Sequence, residues 1–325
     1  MKKKIVTTVA IILTIAIIIF GMHIKYGANQ KENKQDAKAE KITLNSLAVS
    51  ASGEEVSKVD YNKNIDVQKV FSNKRAVYKI KSYEYSEKDI GKIAETLNSK
   101  VENKDKSANV ATQYDLDDGG YISYYENSGG LTYISNSNTL DETEGIKFDK
   151  EKCKKVAEDF IKKSGIINYD ELELRNANVG QTVETSEGEQ DISYVLYYIK
   201  KNPADIEYYG VGPGIKIVID SKYKIAQFTS VNKEMLKEAG EYQTIDKDEA
   251  TQRIIAGKDV QIDGVSVDEK SGVSINSVKI CLYSDPLGME QKYFAPYYVM
   301  EGKDKNKEKI TIIVPAIKDE NVVYN

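Results

Sequence analysis

Tryptophan is absent from this 325-residue chain, and histidine, cysteine, arginine and proline are scarce, at one, two, three and five residues. Each shortage removes a class of chemistry. His23, the sole imidazole, stands at the end of an N-terminal apolar run, so the remainder can hold no Ser-His-Asp or Cys-His hydrolytic centre and no histidine-based zinc site. Arg75, Arg175 and Arg253 are too few for clusters of bidentate phosphate or carboxylate clamps. Cys153 and Cys281 allow at most one disulfide. The first falls on the apolar face of an expected helix and the second on an expected strand, so both read as buried thiols. A basic stripe is also missing. Setting aside the four lysines of residues 1–25, the formal charge of −5 becomes about −9 on the rest, with both signs interspersed. Nucleic acid is thereby excluded as a partner.

What the chain does contain begins with Lys2, Lys3 and Lys4, followed by an uncharged run, Ile5–Ile24. At about 1.5 Å per residue this run matches a hydrocarbon core, and the lysines favour the cytoplasmic side. The expectation is a transmembrane anchor over residues 1–25, with the lipid bilayer met through residues 5–24; a cleavable signal peptide is the alternative, against which stand the length of the run and the lack of a small-x-small cleavage site after it. A flexible tether over 26–64, poor in large apolar residues, is expected next. Everything beyond the anchor is expected outside the cell membrane. The excess of Lys, Asn and Ile points to an AT-rich, Gram-positive source.

Three helix starts recur, each an apolar residue, a Ser or Asp cap and three charged positions: Tyr85–Ile90, Phe148–Cys153 and Ile245–Ala250. Asp246 with Glu249 resembles a capping box, and Gly165 and Gly257 supply stops. Alternating, tyrosine-rich segments follow each helix. They include Tyr121–Glu126 and Leu131–Ser135, Ile192–Lys200 and Ile215–Asp220, and Tyr293–Glu301 and Lys309–Pro315. The expected fold class is α+β, with repeated modules of one helix packed on an antiparallel sheet behind the membrane helix. Its modules would span 65–140, 141–240 and 241–325.

Four local patterns imitate sites and are better read as turns. Asp115–Gly120 with Glu126 lacks a ligand at the fifth position of a calcium loop, where Gly119 stands. Gly210–Gly214 is followed by no Lys-Ser/Thr and leads into a strand, unlike a phosphate loop. The acids Asp141, Glu142 and Glu144, and Glu184, Glu187 and Glu189, lie in polar loops. Ser221–Lys224 and Ser230–Lys233 have Ser-Lys dyad spacing but lack the buried helical turn that such a dyad needs.

At Ile245–Gly257 the sequence resembles the helix opening of PepSY-type modules. Tyr208–Asp220 and Tyr293–Gly302 are similar to the YycH/YycI accessory proteins of a cell-wall two-component system. The resemblance implies a non-enzymatic regulator that acts through contacts with other envelope proteins, a sensor kinase among them. The expectation is therefore a protein that binds or modulates an envelope or membrane protein partner, with no enzymatic activity, no catalytic, cofactor-binding or metal site and no cofactor. One mechanism is addition of a strand to a free sheet edge. The alternative is a module that binds peptidoglycan or glycan through exposed tyrosines.

Overall fold

Alternation of apolar and polar residues along Tyr121–Tyr125, Gly130–Ile134 and Ser193–Lys200 builds the larger sheet of the computed structural model. The structure describes residues 40–47, 56–71, 73–106, 111–136, 146–185, 188–204, 206–264 and 271–325. The larger sheet is eight-stranded, in the order Val101–Asp105, Thr112–Leu116, Tyr121–Tyr125, Gly130–Ile134, Ile225–Val231, Gly214–Asp220, Ser193–Lys200, Leu172–Val179. Every pair in it is antiparallel.

Four α-helices occur among the described residues: α1 (Val67–Val70), α2 (Glu87–Thr96), α3 (Lys150–Ser164) and α4 (Lys247–Ala256). Ser86 and Asp89 form a reciprocal capping box at the start of α2. Asp149 accepts from the N–H groups of Glu151 and Lys152 to start α3, which Gly165 ends in the left-handed conformation. Helices α2 and α3 both lie on one face of the large sheet. Their Ile90, Ile93, Ala157, Phe160 and Ile161 are buried against Leu131, Tyr133, Leu196, Ile217 and Phe228. Each such isoleucine contributes about 1.5–3 kcal/mol by leaving water.

The rest of the chain is woven differently. A six-stranded sheet centres on the long strand Ser271–Ser284, which pairs antiparallel with Pro296–Lys303. It pairs in parallel with both Val56–Tyr61 and Tyr208–Gly210. Lys309–Pro315 and Gln261–Gly264 complete that sheet, and α4 packs Ala250 and Ile254 on its core. Lys74–Ser82, Lys233–Gln243 and Tyr293–Phe294 form a three-stranded sheet. Ile42–Leu44 runs parallel to Val322–Tyr324. Nearly all of residues 83–232 thus form an insert between two paired strands of this frame, Tyr208–Gly210 being the exception. Where the insert leaves and rejoins the frame, the Tyr83 N–H donates to Asn232 O at 2.8 Å.

Several expectations are corrected here. The protein is mostly β and is not a repeat of helix-on-sheet α+β modules. Lys41–Asn325 is one compact unit. The two expected modules 65–140 and 141–240 share one sheet, because Gly130–Ile134 and Ile225–Val231 turn Leu131, Tyr133 and Phe228 toward the same helices and pair with each other. Each would otherwise be an open edge. The boundary expected at 240/241 falls inside the strand Lys233–Gln243. Part of the expected tether is structured, since Ile42, Leu44, Leu47 and Val56 are buried. Its short apolar residues pair with distant strands, a gain that composition alone does not register. The expected anchor at Ile5–Ile24 lies outside the described residues, and among the described residues no helix is long and apolar enough to cross a membrane. The expected single-pass, cell-membrane localisation and bilayer contact are therefore not supported, since run length and flanking lysines are their whole basis.

Candidate functional site

Helix α3 stops at Gly165, and the chain turns back through the buried Ile166 and Ile167 into a short turn, Tyr169–Glu171, capped by the Asn168 side chain. Opposite this turn run Lys81–Glu84 and Asn232–Glu234, where insert and frame join. Between them lies a groove of about 910 Å³. Its floor is a hydrogen-bonded joint. Asn232 is buried and donates through Nδ2 to Ile166 O at 3.3 Å, the same carbonyl that accepts the Tyr85 hydroxyl at 2.6 Å. The Tyr85 N–H donates to the Tyr124 hydroxyl at 3.1 Å.

The walls carry paired charges and tyrosines. Lys200 lies 3.1 Å from Glu171, whose carboxyl is lowered by the Asn168 amide that donates to it and, further, by Lys200. Lys162 sits 4.1 Å over the Tyr169 ring. Desolvation, reinforced by Glu158, pushes the Tyr169 phenol up to about 12. Tyr83 stands 45% exposed on the rim with its ring against Tyr85. The lining residues include no cysteine or histidine. Such a surface can pair with peptide groups, carboxylates and ammonium groups and can stack on flat apolar ones. Sequence reasoning singled out none of Tyr83, Lys162, Tyr169 or Asn232. They come from three separated segments, and no local motif announces them.

A second polar cluster gathers around a buried lysine. Lys233, 1% exposed, donates through Nζ to Gln291 Oε1 at 2.7 Å and approaches Ser284 Oγ at 3.5 Å. Gln291 also accepts from the Asp285 N–H and donates to the carbonyls of Tyr283 and Tyr293. Burial pushes the Lys233 amine down to about 8 against the pull of Asp285, and burial raises the Asp285 carboxyl. The cavity bordering Asp285 and Gln291 measures about 20 Å³, room for a single water and no substrate. Lys233 therefore lies beside a serine, but that serine is Ser284 on another strand. Ser230 instead donates to Gly214 O at 3.4 Å.

The remaining sequence candidates are local structure. Asp117 accepts from Ser99 Oγ and the Lys100 N–H, which lower its carboxyl, and Asp118 accepts from the Gly120 N–H within the turn. Glu126 meets Thr112 Oγ1 at 3.4 Å. Gly210 has a φ of +91° and presses so close to Ser284 that a Cβ would lie 2.3 Å from the Ser284 carbonyl oxygen. The segment 210–214 is thus a close strand crossing. Glu184 and Glu189 oppose each other across a two-stranded hairpin. Asp141, Glu142, Glu144 and Glu187 lie outside the described residues. Asp220 accepts from the N–H groups of Lys222 and Lys224, which places Ser221–Lys224 in a turn. Cys153 and Cys281 are free and buried, and desolvation pushes both thiols up to about 11. Tyr114, Tyr124, Tyr133, Tyr194 and Tyr198 are core residues of the large sheet. No group of three or more His, Cys, Asp or Glu suited to a metal ion occurs among the described residues.

No family model matches the sequence. No curated protein matches it. Among solved structures, the chain is similar to an uncharacterized protein from Eubacterium rectale, at 11% identity and a TM-score of 0.42, over 84% of this chain and 91% of that one.

Proposed function

We propose that this protein works by binding a protein partner, and thereby modulating it, with the groove between Tyr169 and Tyr83 as the contact surface. The observation that carries this reading is the composition of the groove. Three of its charged groups are held in place by neighbours, Lys200 and Glu171 by each other and Lys162 by the Tyr169 ring, so this part of it presents a set pattern of charge and aromatic surface with little reorganisation. It is broad and polar, as peptide-binding surfaces are. The YycH/YycI resemblance supports the same class of action, a regulator that works by contact.

The test is site-specific photocrosslinking from position 83 in the source cell, repeated in a Lys200→Glu, Tyr169→Ala background. A single discrete adduct lost in the double variant is the expected result. Unchanged adducts in the variant, or substrate turnover by the purified protein, would overturn the reading. A second reading, glycan binding, is favoured by one observation, the exposed ring of Tyr83 beside polar side chains. Sedimentation with purified peptidoglycan, lost on Tyr83→Ala, separates it from the first.

A further inference from the structure

Residues 41–47 are held by buried apolar side chains, main-chain pairing and a side-chain amide together. Ile42, Leu44 and Leu47 are 1%, 5% and 5% exposed, so three apolar side chains within six residues are inserted into the frame. They enter a cleft formed by Tyr242, Tyr283, Tyr297 and Ile317. The backbone of this segment adds as a strand, Ile42 against Val322, Thr43 against Val323 and Leu44 against Tyr324. The Asn325 N–H donates to Leu44 O at 3.0 Å, and Ser46 donates through Oγ to Asn325 O at 2.9 Å. Between the second and third apolar residues, Asn45 uses one amide twice. Its Nδ2 donates to the buried Asp285 Oδ2 at 2.7 Å and to Glu290 O at 2.8 Å. Apolar anchors in pockets, main-chain pairing along one edge and a single amide that fixes the register are the recognition elements of an added peptide strand.

We infer that this cleft is a strand-acceptor site, and that residues 41–47 are its resident, exchangeable occupant. The ligand it takes is an extended segment with apolar residues at the first, third and sixth positions and a carboxamide at the fourth. The occupant we commit to is residues 41–47 of a second copy of this chain, because that is the sequence whose fit the structure displays. Exchange is favoured by the small size of the holding surface. The two paired strands are three residues each and make a two-stranded sheet of their own. No disulfide fixes them. This site is separate from the groove at Tyr83 and stands whether or not that groove binds a partner.

The experiment uses the full chain and a labelled synthetic peptide of residues 41–47. In the wild-type protein the resident strand competes, so the peptide binds weakly. In Leu44→Asp, which disfavours the resident strand, affinity should rise by at least about tenfold, since the competent, unoccupied state becomes the major one. Wild-type protein at high concentration should also form a dimer that Leu44→Asp does not. Equal binding to both proteins, or binding to neither while the variant keeps its native tyrosine near-UV circular dichroism, overturns the proposal. Should Leu44→Asp fail to fold, hydrogen exchange on the wild type decides. Amides of residues 43–46 should exchange at least about tenfold faster than those of Tyr297–Lys303, through local opening. Exchange of both at one common rate overturns it.

Discussion

The insert and the frame solve the same problem, keeping a sheet's apolar face dry, in opposite ways. In the insert, the eight strand pairings among the described residues are antiparallel, and only Gly130–Ile134 with Ile225–Val231 joins strands far apart in the chain, with α2 and α3 laid over one face of the large sheet. In the frame, Ser271–Ser284 takes parallel partners from residues 56–61 and 208–210, and Lys74–Ser82 pairs with Lys233–Gln243. Short-range pairing needs only a good turn. Long-range pairing needs the rest of the molecule to be in place. The two regions should therefore respond differently to the same kind of damage.

The largest effect is expected where they meet. Gly129 has a φ of +61°, and a Cβ there would lie 2.8 Å from Tyr83 N and 2.9 Å from Asn232 O, both main-chain atoms. Gly129→Ala should lower stability by about 3–5 kcal/mol in chemical denaturation and loosen both regions together. A loss under about 1 kcal/mol would mean that the joint yields and that insert and frame are only loosely coupled. Next comes Arg253, 5% exposed on α4, which donates to Pro315 O at 3.2 Å, Glu249 at 3.2 Å and Asp319 at 2.8 Å. Arg253→Ala should cost about 2–3 kcal/mol. Hydrogen exchange should place the added opening in the six-stranded sheet and leave the insert as it was.

Lys233 sharpens the comparison by pH. Its folded amine titrates at about 8, below the ordinary 10.5, so between those values the unfolded chain binds more protons. Stability should then rise as pH goes from about 8 toward 9, relieving part of a penalty of about 3 kcal/mol that is full below pH 8. Above pH 9 the two buried thiols, raised to about 11, reverse the trend as the unfolded chain loses their protons first, and above pH 10 the buried tyrosines add to the fall. Lys233→Met should flatten the rise between pH 8 and 9 in denaturant titrations. An unaltered slope would assign it elsewhere. The smallest effect belongs to Gly91 in α2, where a Cβ meets nothing within 4 Å. Gly91→Ala should stabilise by about 0.5–1 kcal/mol, confined to the insert.

Legibility in the sequence follows the same division. The caps at Ser86, Asp149 and Asp246, the stops at Gly165 and Gly257 and the strands Tyr121–Tyr125, Gly130–Ile134, Ser193–Lys200 and Gly214–Asp220 are local features, and they lie where pattern and turn chemistry put them, whereas Val101–Asp105 and the hairpin of Thr182–Thr185 and Gly188–Asp191 carry no such pattern. One detail moved. Glu249, expected to close a capping box, turns to Arg253, while the full box forms at Ser86. Lys74–Ser82 and Lys233–Gln243 escaped notice because charged residues interrupt their alternation and bulges break their register. The fusion of two helix-bearing meanders into one sheet was hidden for a related reason, since an edge that accepts a partner looks like any other edge strand. The groove was illegible altogether, being assembled from residues 81–84, 161–171, 200 and 232–234.

The hydrogen bond between Tyr83 and Asn232 closes the mouth of a very long loop. Ser82 and Lys233, opposed in the frame, are separated by about 150 residues of chain, and closing so long a random loop costs on the order of 4 kcal/mol in entropy. Once the insert has formed, its two ends emerge side by side and most of that cost has already been met by nearby pairings. An insert formed first would thereby lower the entropy cost of closing the frame.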